Sequence, residues 1–409
     1  MNRRYLIIDI IAAVIVIGGV AGVAFVALGG SKAPVATPFP TQELSQSPTP
    51  SASASSAAAQ LALGNWPTYG YDLARTRFNP SIKLRPPYRA RWEFHAHDLL
   101  EFPPSVYRNE LYFCTGHGKV FCLDATTGKT LWRYRVRTKF ASTPTVDGQI
   151  VYVTSISGRL VALDRLTGRP RWQITGLGDI ESSPLLWRGR VFFGSLNDTI
   201  YAVSVKTHRI VWRYVTGGPV KGSVSELNGR LVVGSYDGTL YCLGYNGGLV
   251  WRHSTAGLAS SNQFYATPTL AYGTAYVGGT NGSIYAFDLT NGGLRWSFAT
   301  SGYVYSSPAL WRNLVFEGSY DGTFYALNAA SGRLVWRFSA GAAVSGSPTV
   351  LDGVVYLSSF AHHTWGLDAR TGRVVWRFND GRYSPVTADR HTVYLNGAST
   401  LYALVPKKK

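Results

Sequence analysis

Short β-rich apolar runs recur along this chain at a nearly constant interval, each bounded by turn chemistry. A run such as LVVGS or VVYLSS is followed by a tight-turn pair, of which Asp237-Gly238, Asn281-Gly282 and Asp321-Gly322 are the clearest. These pairs favour two-residue hairpins in which both turn positions take positive φ. A Tyr-Ala-Leu-Asp strand comes next, then a Thr-Gly turn, then a strand carrying a tryptophan. YALNAASGRLVWRF, from Tyr325 to Phe338, is the best-formed copy. The tryptophans Trp92, Trp132, Trp172, Trp212, Trp251, Trp296, Trp336 and Trp376 step by 40, 40, 40, 39, 45, 40 and 40 residues. A period near 40 with four strands per unit predicts a radial repeat, with each indole buried between neighbouring units and its N–H on a backbone acceptor. Each unit opens with a proline (Pro104, Pro144, Pro184, Pro268, Pro308, Pro348, Pro385; Val224 is the exception). Proline has no N–H to give a ladder and belongs at a strand's first residue.

The two ends of the pattern complete each other. Residues 88–95 form a lone tryptophan-bearing strand with no hairpin before it, and 384–405 supply three strands with no tryptophan strand after them. Pairing the two makes one shared sheet and an all-β, eight-bladed β-propeller without open sheet edges. Ahead of it, 65–87 is rich in aromatics and proline and reads as an irregular strap lying on the domain.

The first 64 residues obey other rules. Arg3 and Arg4 precede 10–30, a span of 21 residues without a charge, long enough at about 1.5 Å per residue to cross a bilayer core. The flanking arginines predict a transmembrane signal anchor with residues 1–9 cytoplasmic and the remainder extracytoplasmic, in the cell membrane. Residues 31–64, mostly Pro, Ser, Ala and Thr, predict an extended disordered linker.

Composition adds two constraints. The formal charge of +18, from 40 Lys+Arg against 22 Asp+Glu, is spread through the repeats. It reads as a basic exported surface and admits an anionic envelope polymer as partner; no nucleic acid is expected. Three cysteines are too few for a disulfide framework. With His117-Gly118 as the turn, Cys114 and Cys122 would lie on opposite faces of their hairpin, which argues against a bridge. Neither His362-His363 nor any Cys/His spacing makes a metal motif.

At ALDRLTGRPRW (162–172) and GLDARTGRVVW (366–376) the chain resembles the tryptophan-docking repeat of pyrroloquinoline-quinone (PQQ) propellers, over about 88–409. The strap residues Trp66, Tyr69, Gly70, Asp72, Arg75, Arg77, Asn79 and Pro80 are similar to the segment that opens quinoprotein dehydrogenases. The resemblance implies one of two functions. One is a membrane-bound dehydrogenase oxidising alcohols or sugars with PQQ over a Ca²⁺ in the central funnel. The other is a non-enzymatic binding or assembly scaffold, as in the lipoprotein of the outer-membrane β-barrel assembly machinery. The family's alcohol dehydrogenases set two adjacent cysteines against the quinone and carry long substrate-capping insertions. This chain has neither. The expectation is therefore a scaffold without a cofactor and with a cell-envelope protein partner, and the dehydrogenase is the alternative. The loops leading into the inner strands offer Arg137, Lys139, Asp179, Glu181, Lys221, Asn262, Gln263 and Tyr303 as funnel-mouth candidates, alongside His95, His97, Asp98, Glu101, Tyr305, Asp380 and Arg382.

Overall fold

The computed structural model describes residues 65–255, 262–383 and 385–407. The anticipated transmembrane span at 10–30, the linker at 31–64 and part of the longest loop, 256–261, lie outside the described residues.

Among the described residues thirty-two strands, β1 to β32 in chain order, group into eight four-stranded antiparallel sheets. Blades 1 to 7 follow one another along the chain. Blade 8 is composite: β1 (Tyr88–His95) pairs with β32 (Thr400–Pro406), which continues into β31 (Val393–Asn396) and β30 (Val386–Ala388). Trp92 stands opposite Ala403 in that register. In each of blades 1 to 7 the inner strand has three residues and starts just after the lead-in proline, or just after Val224 in blade 4.

A belt of hydroxyl groups ties the inner strands into a ring. The residue before each lead-in proline is Ser or Thr in blades 2, 3, 5, 6 and 7, and Ser223 holds that place in blade 4. In blades 3 to 7 its oxygen accepts the backbone N–H of the corresponding residue of the preceding blade: Thr143 to Ser183, Ser183 to Ser223, Ser223 to Thr267 and Thr267 to Ser307 at 2.9 Å, and Ser307 to Ser347 at 3.0 Å. Thr143 Oγ1 donates back to Pro103 O at 2.9 Å, Thr349 Oγ1 to Val386 O at 2.9 Å, and Asn396 Nδ2 to Phe102 O at 2.8 Å. Every neighbouring pair of blades is thus joined near the axis. Proline at a position whose N–H the ladder does not need leaves these bonds to be made by its neighbours.

The perimeter is held by the indoles. Trp92, Trp132, Trp212, Trp251, Trp296 and Trp336 donate from Nε1 to the carbonyls of Ala125, Arg165, Tyr245, Leu289, Ala329 and Ala369 in the next blade, at 2.7–3.1 Å. Each ring also lies on the turn glycine of that blade. A Cβ on Gly128, Gly168, Gly247, Gly292, Gly332 or Gly372 would sit 2.5–2.8 Å from the indole, and all six have positive φ. The glycine and the tryptophan of the repeat are therefore one device: no other residue permits the ring to approach the turn so closely. Blade 3 has His208 at that place, with φ 56°, and its imidazole stacks on Trp172 with centroids 4.8 Å apart. Trp376, facing the composite blade, packs instead against Tyr88 and Tyr356.

Two local expectations are corrected. In the Asp237-Gly238 and Asp321-Gly322 turns only the glycine has positive φ, and Gly238 N donates to Ser235 O at 3.2 Å. These are three-residue loops, in which a turn is followed by one left-handed residue. The Asp supplies side-chain bonds: Asp237 Oδ1 accepts Thr239 N at 2.8 Å and Oδ2 accepts Tyr241 OH at 2.5 Å. The longer loop also shifts the blade 1 hairpin by one residue. Cys114 pairs with Val120 and Cys122 with Tyr112, so the two cysteines share a face and not opposite faces. They stand two residues apart along the ladder, and both remain free thiols in one apolar cluster.

The strap crosses the end of the channel. Carbonyls of Trp66, Pro67, Leu73, Ala74, Thr76 and Arg77 accept N–H groups from Val106, Val146, Glu226, Leu270, Leu310 and Val350, at 2.7–3.0 Å. Those donors are the middle residues of the inner strands of blades 1, 2, 4, 5, 6 and 7, and they would otherwise face the channel. Tyr71, Arg75 and Arg77 take positive φ, which winds the strap tightly enough to follow the ring.

Candidate functional site

The axial funnel is the candidate site, a cavity of about 560 Å³ counted to its open mouth. Its wall comes from one sequence position per blade, three residues before the lead-in proline. Glu101, Glu181, Lys221, Tyr265, Tyr305 and Ser345 occupy that position in blades 1, 3, 4, 5, 6 and 7 and line the cavity. The belt hydroxyls of Ser223, Thr267, Ser307 and Ser347 lie deeper, and Tyr69 of the strap reaches in from below.

Tyr69 OH bonds to Ser347 Oγ at 2.9 Å and to Ser307 Oγ at 3.4 Å. The Arg77 guanidinium lies 4.7 Å from its ring centroid. Burial pushes this phenol up, but the Arg77 charge and the two hydroxyls more than offset it, leaving it below the ordinary phenol value. Arg75, fully buried, donates to Thr68 Oγ1 at 2.8 Å and to the carbonyls of Val224 and Pro184 at 3.2 and 3.3 Å. Arg77 reaches Pro308 O and Thr269 Oγ1 at 3.0 Å each. Two arginines and a tyrosine thus plug the channel below the funnel.

Within the funnel, Lys221 Nζ is 2.6 Å from Glu181 Oε2 and 4.3 Å from the Tyr265 ring centroid. Burial disfavours the ammonium, yet the Glu181 charge and hydrogen bond outweigh it, so Lys221 is held above its ordinary value. An aromatic arc links the wall residues Tyr265, Tyr305 and Tyr383 through Tyr320 and Phe360. Ring centroids run Tyr265–Tyr305 4.8 Å, Tyr305–Tyr320 4.8 Å, Tyr320–Phe360 5.7 Å and Phe360–Tyr383 5.7 Å.

The anticipated residues divide by register. Glu181 and Lys221 meet in the funnel, joined by Glu101 and Tyr305. Tyr303 stands at the rim, 49% exposed, with its ring 5.7 Å from Tyr305. Arg137, Lys139, Asp179 and Gln263 are exposed and do not line the cavity. Asn262 is buried in a turn, donating to Thr255 Oγ1 at 2.7 Å and accepting Asn281 N at 3.3 Å. Tyr265, Tyr320, Phe360, Tyr383 and the hydroxyl belt were not singled out from sequence, and Tyr69 was marked only as part of the strap, not as a funnel residue. The spacing to the lead-in proline was the signal for Tyr265 and the belt; nothing local marked Tyr69 or Tyr320 as axial.

The donor set does not fit a cation with a quinone above it. A divalent ion of this kind takes about 6–8 oxygen ligands, several of them carboxylate. Among the described residues no group of three or more His, Cys, Asp or Glu side chains is placed to hold a metal. Of the two carboxylates in the funnel, Glu181 is paired with Lys221.

Eight four-stranded blades, six of their tryptophans docked on the turn glycine of the next blade, define a PQQ-like β-propeller. The chain belongs to the family described as "Outer membrane protein assembly factor BamB", whose profile matches it over residues 89–176, 116–228, 197–310 and 280–408. Its fold is similar to that of BamB from Moraxella catarrhalis, with a TM-score of 0.68 at 19% identity, covering 78% of this chain and 100% of that one. It is also similar to quinohemoprotein alcohol dehydrogenase from Comamonas testosteroni, with a TM-score of 0.73 at 16% identity over 86% of this chain and 84% of that one. By sequence, 107 residues are 28% identical to quinoprotein glucose dehydrogenase of Escherichia coli (strain K12), covering 23% of this chain and 13% of that protein.

Proposed function

We propose that this protein is a non-enzymatic propeller that binds a protein partner in the cell envelope. In this reading 10–30 anchors it in the membrane, 1–9 stay cytoplasmic, 31–64 act as a tether and the propeller lies outside the cytoplasm. The observation that carries the reading is the funnel itself: Lys221 is tied to Glu181, and the strap's Tyr69 lines the same cavity. Membership in a family described by an outer-membrane assembly factor supports the same choice.

The second reading, a PQQ-dependent dehydrogenase, is favoured by the stretch similar to quinoprotein glucose dehydrogenase. One experiment separates the two. The full chain in detergent is incubated with PQQ and Ca²⁺ and assayed for dye-linked oxidation of alcohols and sugars, in parallel with affinity capture from envelope extract. The scaffold reading expects no turnover and a reproducible protein partner. Quinone absorbance with turnover replaces it with the dehydrogenase. Retention on anionic polymer that falls steeply with salt, with no protein partner, would assign the basic surface instead.

A further inference from the structure

The aromatic arc of the funnel already serves as a seat for positive charge. At one end Lys221 lies over Tyr265; at the other the Arg382 guanidinium lies 5.2 Å from the Phe360 centroid and 5.3 Å from that of Tyr383. Between these ends stand Tyr303, Tyr305 and Tyr320, with centroids 5.7, 6.5 and 4.8 Å apart and planes inclined at 59°, 55° and 73°. Three mutually tilted rings make a cage, not a stack, and among the described residues neither arc cation lies over them. The cage is held in place: Tyr320 OH reaches Ser345 Oγ at 3.3 Å, and Tyr320 N donates to Tyr303 O at 2.8 Å. It is open to solvent through the half-exposed Tyr303. Glu101 and Tyr305 line the funnel cavity, and the Glu101 charge is felt at Tyr265 and Tyr320: burial first and Glu101 with it push both phenols up, with Ser345, Arg382 and Lys221 pulling the other way at Tyr320. Those rings therefore stay neutral, with their electron-rich faces intact.

We propose that Tyr303, Tyr305 and Tyr320, with Glu101 on the cavity wall, form a binding site for an alkylammonium group, carried by a small amine or by a lysine side chain. A positive centre over several aromatic faces is attracted by their quadrupoles, and a carboxylate in the same partly desolvated cavity adds to that attraction. The two arc cations confine the site to the middle of the arc, since a ligand charge placed at either end would meet Lys221 or Arg382. The inference rests on the funnel being a binding site, and it is tested separately from the redox assay.

Calorimetric titration of the full chain in detergent uses three probes: choline, the neutral alcohol in which carbon replaces its nitrogen, and Nα-acetyl-lysine methylamide. At least one cationic probe is expected to saturate, with the neutral isostere about tenfold weaker or more. Tyr303→Ala should weaken the cation by about three- to tenfold while Tyr303→Phe holds it within about twofold, because the ring face does the binding. Saturation by choline alone assigns a free amine; saturation by the lysine amide alone assigns a side chain presented by a partner. The proposal is overturned if neither cation saturates, if the neutral isostere binds equally, or if Tyr303→Ala changes nothing. Quinone turnover would remove the scaffold reading whatever these titrations give, and absent ammonium binding would leave the envelope capture result standing.

Discussion

The perimeter and the axis of this propeller are built from the same repeat and behave in opposite ways. At the perimeter the tryptophan and its turn glycine recur almost without change, and six indoles make the same contact with the same geometry. At the axis the position three residues before the lead-in proline reads Glu101, Ala141, Glu181, Lys221, Tyr265, Tyr305, Ser345 and Arg382. Repetition therefore marks what every blade needs in order to dock. Its failure marks what the assembled ring presents to a ligand.

The comparison is broken most severely at a docking indole. Trp132→Ala empties a buried site between blades 1 and 2 and removes the bond to Arg165 O. It should lower unfolding stability by about 3–5 kcal/mol. Denaturant titration of the variant beside Tyr303→Ala, which should stay near wild type, checks that the large effect belongs to the perimeter.

Gly168→Ala attacks the same contact from the other side. It places a methyl 2.5 Å from the Trp132 ring at a φ of 69° and should cost about 2–4 kcal/mol. A melting temperature unchanged from wild type would disprove the claim that ring and glycine act together.

Glu317 sharpens the contrast because it is a single-blade departure buried in the core instead of the funnel. Its register position is Val277 in blade 5 and Leu357 in blade 7. One oxygen is bonded by Ser306 Oγ, and the other has no partner among the described residues. Burial pushes this carboxyl well up, with Ser306 and the Arg77 charge pulling weakly the other way. The group binds its proton more tightly folded than unfolded, so stability falls as pH rises from about 4.3, the unfolded value, toward the folded one. Glu317→Gln should stabilise the protein at neutral pH by about 1–3 kcal/mol and remove that slope, as melting curves across pH would record.

The smallest effect is expected at His208→Gly. It restores the glycine that blade 3 lacks, relieves a left-handed non-glycine residue and gives up the imidazole stack on Trp172. These oppose each other, and the net change should stay within about 1 kcal/mol. A loss as large as that of Gly168→Ala would mean that the stack is a true substitute for the docked glycine.

Much of the fold was legible because its determinants are local and periodic. The tryptophan spacing, the lead-in prolines and the turn glycines each act within a few residues, and eight copies average out accidents of any one. Loop length was less legible: Asp-Gly pairs suit both two-residue and three-residue turns, and a difference of one residue moved Cys114 and Cys122 onto one face. At the site, Glu181 and Lys221 were recognisable as lead-in residues, whereas Asp179, two positions earlier, was not separable from Glu181 without knowing which side chains turn inward.

The chain by itself determined an eightfold repeat and the device that docks one unit on the next, since both depend on side chains a fixed distance apart in sequence. Only the closed ring decided what stands at the centre. Tyr69 and Ser347 are separated by 278 residues and meet at 2.9 Å, and Tyr265, Tyr305 and Tyr383 line one cavity only because successive blades rotate about a common axis. No short-range pattern encodes that convergence. It follows from closure, which brings one side chain from almost every blade to the same small volume.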